Sequence, residues 1–215
     1  MSDLTDRLRG KFIVLDGPDG AGKTTQLALL ADRLEADGLE VCRARDPGGT
    51  AIGDKIREIL LSPDSGEIAP DCEMLLFMAS RAQLVAERIR PAIEAGQVVL
   101  CDRFVSATVA YQGASGVSAD RIIKIWQVAG EAFWPDLTVI LDLPPETGLR
   151  RVGERNGSDN AADRMEQRPD AYHRRVREIF AALGESYPAP VRYVQADRPV
   201  DAVATDVAAA VEEAL

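Results

Sequence analysis

The segment KFIVLDGPDGAGKTT, residues 11–25, constrains the fold more than any other part of the chain. Its apolar run from Phe12 to Leu15 predicts a buried strand. A glycine-rich loop from Gly17 to Lys23 follows, with the pattern G-x-x-x-x-G-K-T, and helical periodicity begins directly after it. A strand, a loop and a helix in this order predict a phosphate-binding loop.

Each residue type in this loop has a physical role in holding phosphate. Glycines let backbone N–H groups turn inward around phosphate oxygens, and the N-terminus of the next helix favours an anion. Lys23 is expected to reach the outer phosphates, and the Thr24 hydroxyl to ligate Mg²⁺. A chance turn is the alternative, which the flanking strand and helix argue against. The predicted nucleotide-phosphate site is Gly17, Pro18, Asp19, Gly20, Ala21, Gly22, Lys23, Thr24 and Thr25.

The rest of the chain alternates strand-like apolar runs with helical periodicity. Further strands are predicted at 39–45, 98–101, 137–143 and 191–194, with helices between them and after the last. This alternation predicts an α/β fold in three layers, with a five-stranded parallel sheet covered by helices on both faces. The length of 215 residues suits a single domain with a small lid at about residues 150–166.

Composition narrows the possible functions and location. The net charge of -10 argues against general nucleic-acid binding, which needs a basic face. The N-terminus has no apolar signal segment, and no stretch approaches the length that spans a membrane. Three cysteines lack metal-type spacing, and Cys42 and Cys101 lie in strand-like runs, so we expect buried free thiols. We therefore expect a cytoplasmic protein without nucleic-acid or membrane partners.

Polar motifs follow several predicted strands, where parallel sheets bind their ligands. Besides the glycine-rich loop, they are Asp46–Thr50, Asp102–Gly113 and the stretch after Leu143. Asp102 is expected to hold Mg²⁺, directly or through water, and Arg103 to clamp a second phosphate. An Asp–Arg ion pair that closes the strand is the alternative. The common location of these motifs predicts one active site.

Two groups of side chains have the chemistry to bind a nucleobase. Phe77 and Arg81 share one face of a predicted helix and combine a flat ring with a planar donor. Thr108, Tyr111 and Gln112 offer hydroxyl, phenol and amide groups, and the amide can pair with a donor and an acceptor. From spacing alone, a core Phe with a surface-reaching Arg fits the first group as well, and a solvated turn fits the second.

Arginines flank a polar segment, 153–163, that has little reason to pack. A run of charge is usually a solvated face. Because this one follows a strand whose carboxyl end faces the site, it suggests a lid that closes over the transferring phosphate. The arginines are Arg150, Arg151, Arg155 and Arg164.

Taken together, GPDGAGKTT, DPGGT, IREILL, LFMASRAQL, CDRFVSATVAYQG, PDLTVILD and DRMEQ resemble the thymidylate kinases, a family of P-loop nucleoside monophosphate kinases. The motifs run in family order from about residue 11 to residue 167. The resemblance implies transfer of the γ-phosphoryl group of ATP to dTMP with Mg²⁺, giving dTDP and ADP. It also implies a homodimer, for which the apolar face of the 71–89 helix is a candidate contact.

The resemblance also implies roles in the acceptor site. Asp19 would meet the sugar 3′-hydroxyl, and Tyr111 would close against the 2′ position and favour deoxyribose. Phe77 would stack on thymine, and Arg81 would reach its exocyclic oxygen. Base recognition would be completed by Thr108 and Gln112, and the acceptor phosphate would be held by Arg57 and Arg103.

The glycine-rich loop contains no arginine, so the chain looks like the bacterial type, in which the lid supplies the catalytic arginine. Arg155 is the first candidate and Arg164 the second. Lys23 and Arg103 complete the expected catalytic set.

Three positions depart from the family pattern. Ala107 stands where the family usually has Ser, and Asp46 where Glu is commoner. The lid contains the extra-looking NGSDNAAD. None of these changes removes a group that phosphoryl transfer needs.

Three other functions are alternatives to this one. Another deoxynucleotide or deoxynucleoside kinase would share the same loop. A GTPase switch needs a guanine-reading N-K-x-D after a strand, and the sequence has none. A catalytically inactive binding protein is disfavoured because Lys23, Thr24, Asp102 and Arg103 are all present.

Overall fold

The computed structural model describes residues 3–156 and 163–215; the part of the predicted lid at 157–162 lies outside the described residues. The described strands form one parallel sheet in the order β2-β3-β1-β4-β5. The strands are β1 (Phe12–Asp16), β2 (Val41–Arg45), β3 (Val98–Asp102), β4 (Leu137–Asp142) and β5 (Val191–Gln195). The predicted five-stranded parallel sheet is confirmed.

Helices cover the sheet on both sides. The alternation of side chains along β1 produces this layering, because Phe12 and Val14 join one apolar cluster and Ile13 and Leu15 join another. The helices are α1 (Asp3–Leu8), α2 (Lys23–Ala36), α3 (Ala51–Leu61), α4 (Pro70–Leu84), α5 (Arg90–Glu94), α6 (Val105–Ala114), α7 (Ala119–Ala129), α8 (Pro145–Asn156), α9 (Asp170–Ala182) and α10 (Val200–Ala214). The predicted three-layer arrangement is confirmed.

The long helix over residues 71–89 is interrupted near Pro91, as the sequence predicts. α4 ends at Leu84, Val85–Ile89 forms one π-helical turn, and α5 begins at Arg90. Proline has no N–H to donate, and its ring crowds the preceding turn. The wider π turn accommodates this, since the Arg90 N–H donates to the carbonyl five residues earlier.

Two helix starts show how local sequence sets the boundaries. Ser118 caps α7 as predicted, because its side chain accepts from the Arg121 N–H. α2 begins at Lys23, three residues before the start that apolar periodicity predicts. The last residues of the glycine-rich loop already have helical backbone, which places the helix N-terminus directly at the loop.

The expectation that Cys42 and Cys101 are buried free thiols is confirmed in part. Cys101 is buried on β3, as predicted, whereas Cys42 is only half-buried because β2 is an edge strand. Cys72 is exposed, and all three thiols are free. Across residues 3–156 and 163–215, no helix is long and apolar enough to cross a membrane.

Candidate active site

One cavity of about 620 Å³ lies at the carboxyl ends of the central strands. It is bordered by the residues that follow β1, β2 and β3, and by helices α3, α4, α6 and α8. The polar motifs that follow separate strands therefore do meet at one site. The predicted site residues on its wall are Asp19, Gly20, Gly22, Lys23, Thr24, Thr25, Arg57, Phe77, Arg81, Asp102, Arg103, Thr108, Tyr111, Gln112 and Arg155.

The loop after β1 has the backbone that phosphate binding requires. Gly17, Gly20 and Gly22 have φ values of 139, 76 and 87°, a range that favours glycine. Gly22 caps α2 without a side-chain bond, and the first turn carries no acidic residue. The N–H groups at this helix N-terminus are therefore available to an anion, while Ala21 packs into the core.

Lys23 is folded against the loop that carries it. Its Nζ donates to the carbonyl oxygens of Gly17 at 3.0 Å and Pro18 at 2.8 Å. Burial lowers the pKa of Lys23 to about 8, and the positive charge of Arg103 acts in the same direction. An anionic phosphate in the loop would favour the ammonium form and raise the pKa of Lys23 again.

Thr24 and Asp102 provide two adjacent oxygen ligands. The Thr24 Oγ1 donates to Asp102 Oδ2 at 2.7 Å. Two ligands at neighbouring corners of an octahedral Mg²⁺ site lie about 3 Å apart, so this pair fits that ion. Among residues 3–156 and 163–215, no group of three or more His, Cys, Asp or Glu side chains could hold a metal ion. The remaining ligands of a bound Mg²⁺ would therefore be phosphate oxygens and water.

Arg103 links the loop to α6. Its φ of 72° is left-handed, and its guanidinium donates to Asp19, to the Gly17 carbonyl at 3.2 Å and to the Tyr111 hydroxyl at 3.2 Å. It also lies 3.5 Å from Asp16. Within the described residues no ion pair joins Arg103 to Asp102, so the alternative of a pair that closes the strand is wrong.

Asp19 and Tyr111 form one hydrogen-bonded group with Arg103. The Tyr111 hydroxyl donates to Asp19 Oδ2 at 2.8 Å. Burial works against ionisation of Asp19, but Arg103 and Lys23 outweigh it and hold the pKa of Asp19 below its usual value. Asp19 is therefore an acceptor at neutral pH and suits a sugar hydroxyl. Burial instead raises the pKa of the neighbouring Asp16.

Three arginines, one of which is Arg103 itself, lie close together at the cavity wall near Asp19 and Tyr111. Arg45, Arg57 and Arg103 all reach the cavity wall, and the Arg57 Nη1 donates to the Pro47 carbonyl at 3.0 Å. Burial lowers the pKa of Arg57, and the charges of Arg45 and Arg103 lower it further. Such a cluster is unfavourable alone and is relieved by an anion, so it suits a phosphate. Sequence reasoning missed Arg45, although it ends a strand directly before a polar motif.

Arg81 is fully buried, so the alternative of a surface-reaching arginine is wrong. Its Nε donates to Asp46, and its Nη2 donates to Thr108 Oγ1 at 2.9 Å and to the Phe104 carbonyl at 3.1 Å. Phe77 lies beside it on the cavity wall. Asp46 Oδ1 has no hydrogen-bond partner within the described residues.

Thr108 and Gln112 are buried on α6, so the alternative of a solvated turn is wrong. Gln112 donates through Nε2 to Glu73 Oε1 at 2.8 Å. Sequence reasoning missed Glu73, because only the fold brings it to Gln112. Ala107 also lines the cavity and brings no hydroxyl to its wall.

Helix α8 packs directly on the glycine-rich loop. A Cβ built on Gly20 would lie 2.3 Å from the Gly148 carbonyl oxygen, and one on Gly148 would lie 2.3 Å from that of Asp19. One turn further along, Arg151 Nη1 lies 3.4 Å from the carbonyl oxygens of Gly20 and Ala196. The backbone of the glycine-rich loop therefore lies directly against the backbone of the first turn of α8.

The two lid candidates have different surroundings. Arg155 lies on the cavity wall and pairs with Glu166 at 2.7 Å. Arg164 donates to the Leu60 carbonyl at 2.9 Å and to Glu73, and it is not among the residues that line the cavity. Of the two, the structure brings Arg155 to the site. Arg150 pairs with Glu154 on the exposed side of α8.

The thymidylate kinase family model matches residues 15–207. The chain is 46% identical over 206 residues to a thymidylate kinase of Deinococcus radiodurans, covering 95% of this chain and 98% of that one. It is 45% identical over 201 residues to a thymidylate kinase of Exiguobacterium sibiricum, covering 93% of each chain. It is 44% identical over 209 residues to that of Pelotomaculum thermopropionicum, covering 97% and 95%. A phosphate loop and an arginine-lined pocket that share one cavity agree with this likeness, and the chain belongs to the thymidylate kinase family.

Proposed function

We propose that this chain transfers the γ-phosphoryl group of ATP to dTMP and releases dTDP and ADP. The observation that carries the proposal is that one cavity joins two anion sites, the glycine-rich loop with Lys23 and the arginine cluster around Arg103. A kinase that uses two nucleotides needs both sites in line. The matched relatives are thymidylate kinases over nearly their whole length.

The donor phosphates occupy the loop in this proposal. Backbone N–H groups at the start of α2 and the Lys23 ammonium bind their oxygens. Thr24 and Asp102 would hold Mg²⁺, which neutralises phosphate charge when bound. These groups act by position and charge, which is the main requirement of phosphoryl transfer.

The acceptor binds between α4 and α6. Arg57 and Arg103 hold its phosphate, and the ionised Asp19 accepts a hydrogen bond from the 3′-hydroxyl. Tyr111 is fixed by its bond to Asp19 and closes the space beside the 2′ carbon. A ribose 2′-hydroxyl would compete for this space, which favours deoxyribose.

Thymine lies against Phe77 in this proposal. Arg81 uses Nε and Nη2 on protein oxygens, and its Nη1 has only the Met78 sulfur at 3.2 Å as a partner that the structure describes. Sulfur is a weak acceptor, so an Nη1 hydrogen remains for the exocyclic oxygen of the base. Thr108 and Gln112 complete the polar wall.

A substrate panel tests the proposed function. Purified protein is assayed with ATP and Mg²⁺ against dTMP, dUMP, dCMP, dGMP and thymidine. We expect the highest kcat/KM with dTMP. A strong preference for thymidine over dTMP would instead support a deoxynucleoside kinase, and preference for another monophosphate would support a different nucleotide kinase.

A homodimer is the proposed assembly. Ile52 and Ile59 on α3 and Leu75 on α4 are large apolar side chains that are 52%, 48% and 52% exposed. α3 and α4 pack against each other, so these residues lie on neighbouring helices. The proposed dimer contact therefore includes α3 as well as the 71–89 helix that the sequence predicts.

Replacing Arg155 by Ala is expected to lower kcat by about a hundredfold or more, with little change in either KM. An arginine that meets the phosphoryl group mainly in the transition state contributes to kcat rather than to ground-state binding. Steady-state kinetics with ATP and dTMP measure this. Arg150→Ala is the matched control, because Arg150 lies on the same helix in an exposed pair with Glu154. If Arg164→Ala is the slow variant and Arg155→Ala is not, the assignment is wrong.

ATP binding is expected to take up a proton at about pH 8.5. Without phosphate the pKa of Lys23 is about 8, so most of its amine is neutral at that pH. The bound phosphates raise the pKa and draw in about 0.7 proton. Calorimetry in buffers of different ionisation enthalpy measures the uptake. Lys23→Arg should abolish it, because arginine stays charged. Equal uptake by that variant would show that another group titrates.

A further inference from the structure

Glu73 is a buried carboxylate in the first turn of α4 that does not border the cavity. Its side chain is 1% exposed. Glu73 Oε1 accepts from Gln112 Nε2 at 2.8 Å, and Oε2 accepts from Arg164. A second guanidinium, of Arg168, lies 3.8 Å from Oε2. A buried carboxylate is costly, and these three partners offset that cost.

This contact decides which end of the Gln112 amide faces the cavity. A carboxylate offers only acceptors, so the amide must turn its NH₂ group toward Glu73. The other end is the carbonyl oxygen Oε1, and no described residue donates to it. Because Gln112 lines the cavity, its carbonyl is the group presented to a ligand.

The cavity wall then carries an acceptor and a donor in a fixed order. Gln112 supplies the acceptor, and Arg81 supplies the donor. A thymine or uracil edge has an N3–H donor beside an O4 acceptor, which matches both groups. A cytosine edge reverses the two, with an N3 acceptor beside an amino donor. A freely rotating amide would be able to donate to the cytosine N3, whereas one held by Glu73 is not.

We propose that Glu73, itself held by Arg164, is a positioning residue that locks the Gln112 amide and restricts the acceptor to bases with an N3–H. The inference rests on the proposed function, because it assumes that a pyrimidine occupies this wall. It gives Arg164 a role as well. Arg164 holds the carboxylate from the last residues of the predicted lid, and its Nε bond to the Leu60 carbonyl ties these residues to the end of α3.

Glu73→Gln tests this proposal. The variant keeps the size of the side chain but offers a donor and an acceptor, so both orientations of the Gln112 amide become possible. We expect the ratio of kcat/KM for dTMP to that for dCMP to fall by about tenfold, chiefly through KM for dTMP, as one base contact loses its fixed polarity. dUMP retains N3–H and should change in parallel with dTMP.

Asp71→Asn is the matched control. Asp71 lies in the same helical turn and also pairs with an arginine, but its pair with Arg121 is exposed. The substitution makes the same chemical change and should leave the ratio unaltered. A loss of discrimination in Asp71→Asn as large as that in Glu73→Gln would overturn the proposal.

Loss of stability is separated from loss of selectivity in two ways. The ratio of two kcat/KM values does not depend on the fraction of folded enzyme. The double variant E73Q/R164Q also removes Glu73 and its closer guanidinium partner together, so that Arg164 is not left unpaired, and it should show the same reduced ratio. Equal falls for dTMP, dUMP and dCMP in both variants would mean a purely structural role and would overturn the proposal. If the wild-type enzyme itself fails to prefer dTMP over dCMP, the proposed function fails instead.

Discussion

Lys23→Ala is expected to lower kcat by about a thousandfold or more, while the protein stays folded. In phosphoryl transfer the loop lysine binds the outer phosphates as negative charge shifts between them, so its loss acts on the transition state. The fold should persist because burial disfavours the Lys23 ammonium, as its pKa of about 8 shows. Steady-state kinetics give the first quantity, and thermal unfolding gives the second.

The control for this prediction is Lys124→Ala. Lys124 is exposed on α7 in an (i, i+4) pair with Asp120, so its removal should change neither kcat nor the unfolding temperature appreciably. A kcat for Lys23→Ala within about tenfold of wild type would contradict the role assigned to Lys23.

Arg103→Ala is expected to lower kcat/KM for dTMP by about a thousandfold, with a rise in KM for dTMP and little change in KM for ATP. Arg103 is proposed to grip the acceptor phosphate, and it also holds Asp19 in place by an ion pair. Its removal leaves the buried Asp16 and the half-buried Asp19 without that counter-charge, so the acceptor loses its phosphate contact and its sugar contact together. Kinetics with each substrate varied in turn measure both KM values.

Two further variants sharpen this experiment. Arg103→Lys keeps the charge but lacks the planar fork, so we expect it to recover only part of the lost activity. Arg121→Ala removes an exposed arginine that pairs with Asp71, and it should behave as wild type. An Arg103→Ala enzyme with an unchanged KM for dTMP and a raised KM for ATP would place the arginine at the donor instead.

The sheet was predictable because its signals are local. β3 is a short apolar run, and the loop from Gly17 carries its pattern in consecutive residues. The interruption before Pro91 was predictable because proline lacks an N–H. Exposure was predicted less well. β2 contains Arg43 and Arg45, and charged residues of this kind are typical of an edge strand, yet Cys42 was expected to be buried.

Partners within the site were less predictable than its location. Arg81 was expected to need a partner if buried, but Asp46 lies 35 residues away and meets it only because β2 ends beside α4. Glu73 and Gln112 are 39 residues apart, and nothing in the sequence around either residue predicts their hydrogen bond. The lid was the hardest part, since a polar segment without periodicity gives no register. The resemblance to the family ranked Arg155 before Arg164, but the position of either side chain in the lid was not predictable from the sequence.

The backbone contact between Gly20 and Gly148 has a consequence for engineering this protein. Alanine usually stabilises the interior of a helix relative to glycine. Gly148 in α8 would therefore be an obvious position for a stabilising substitution by alanine. Here the added methyl group would meet the Asp19 carbonyl and displace the loop that cradles the donor. Any redesign for heat resistance should therefore keep both glycines, even though one of them looks like an ordinary helix defect.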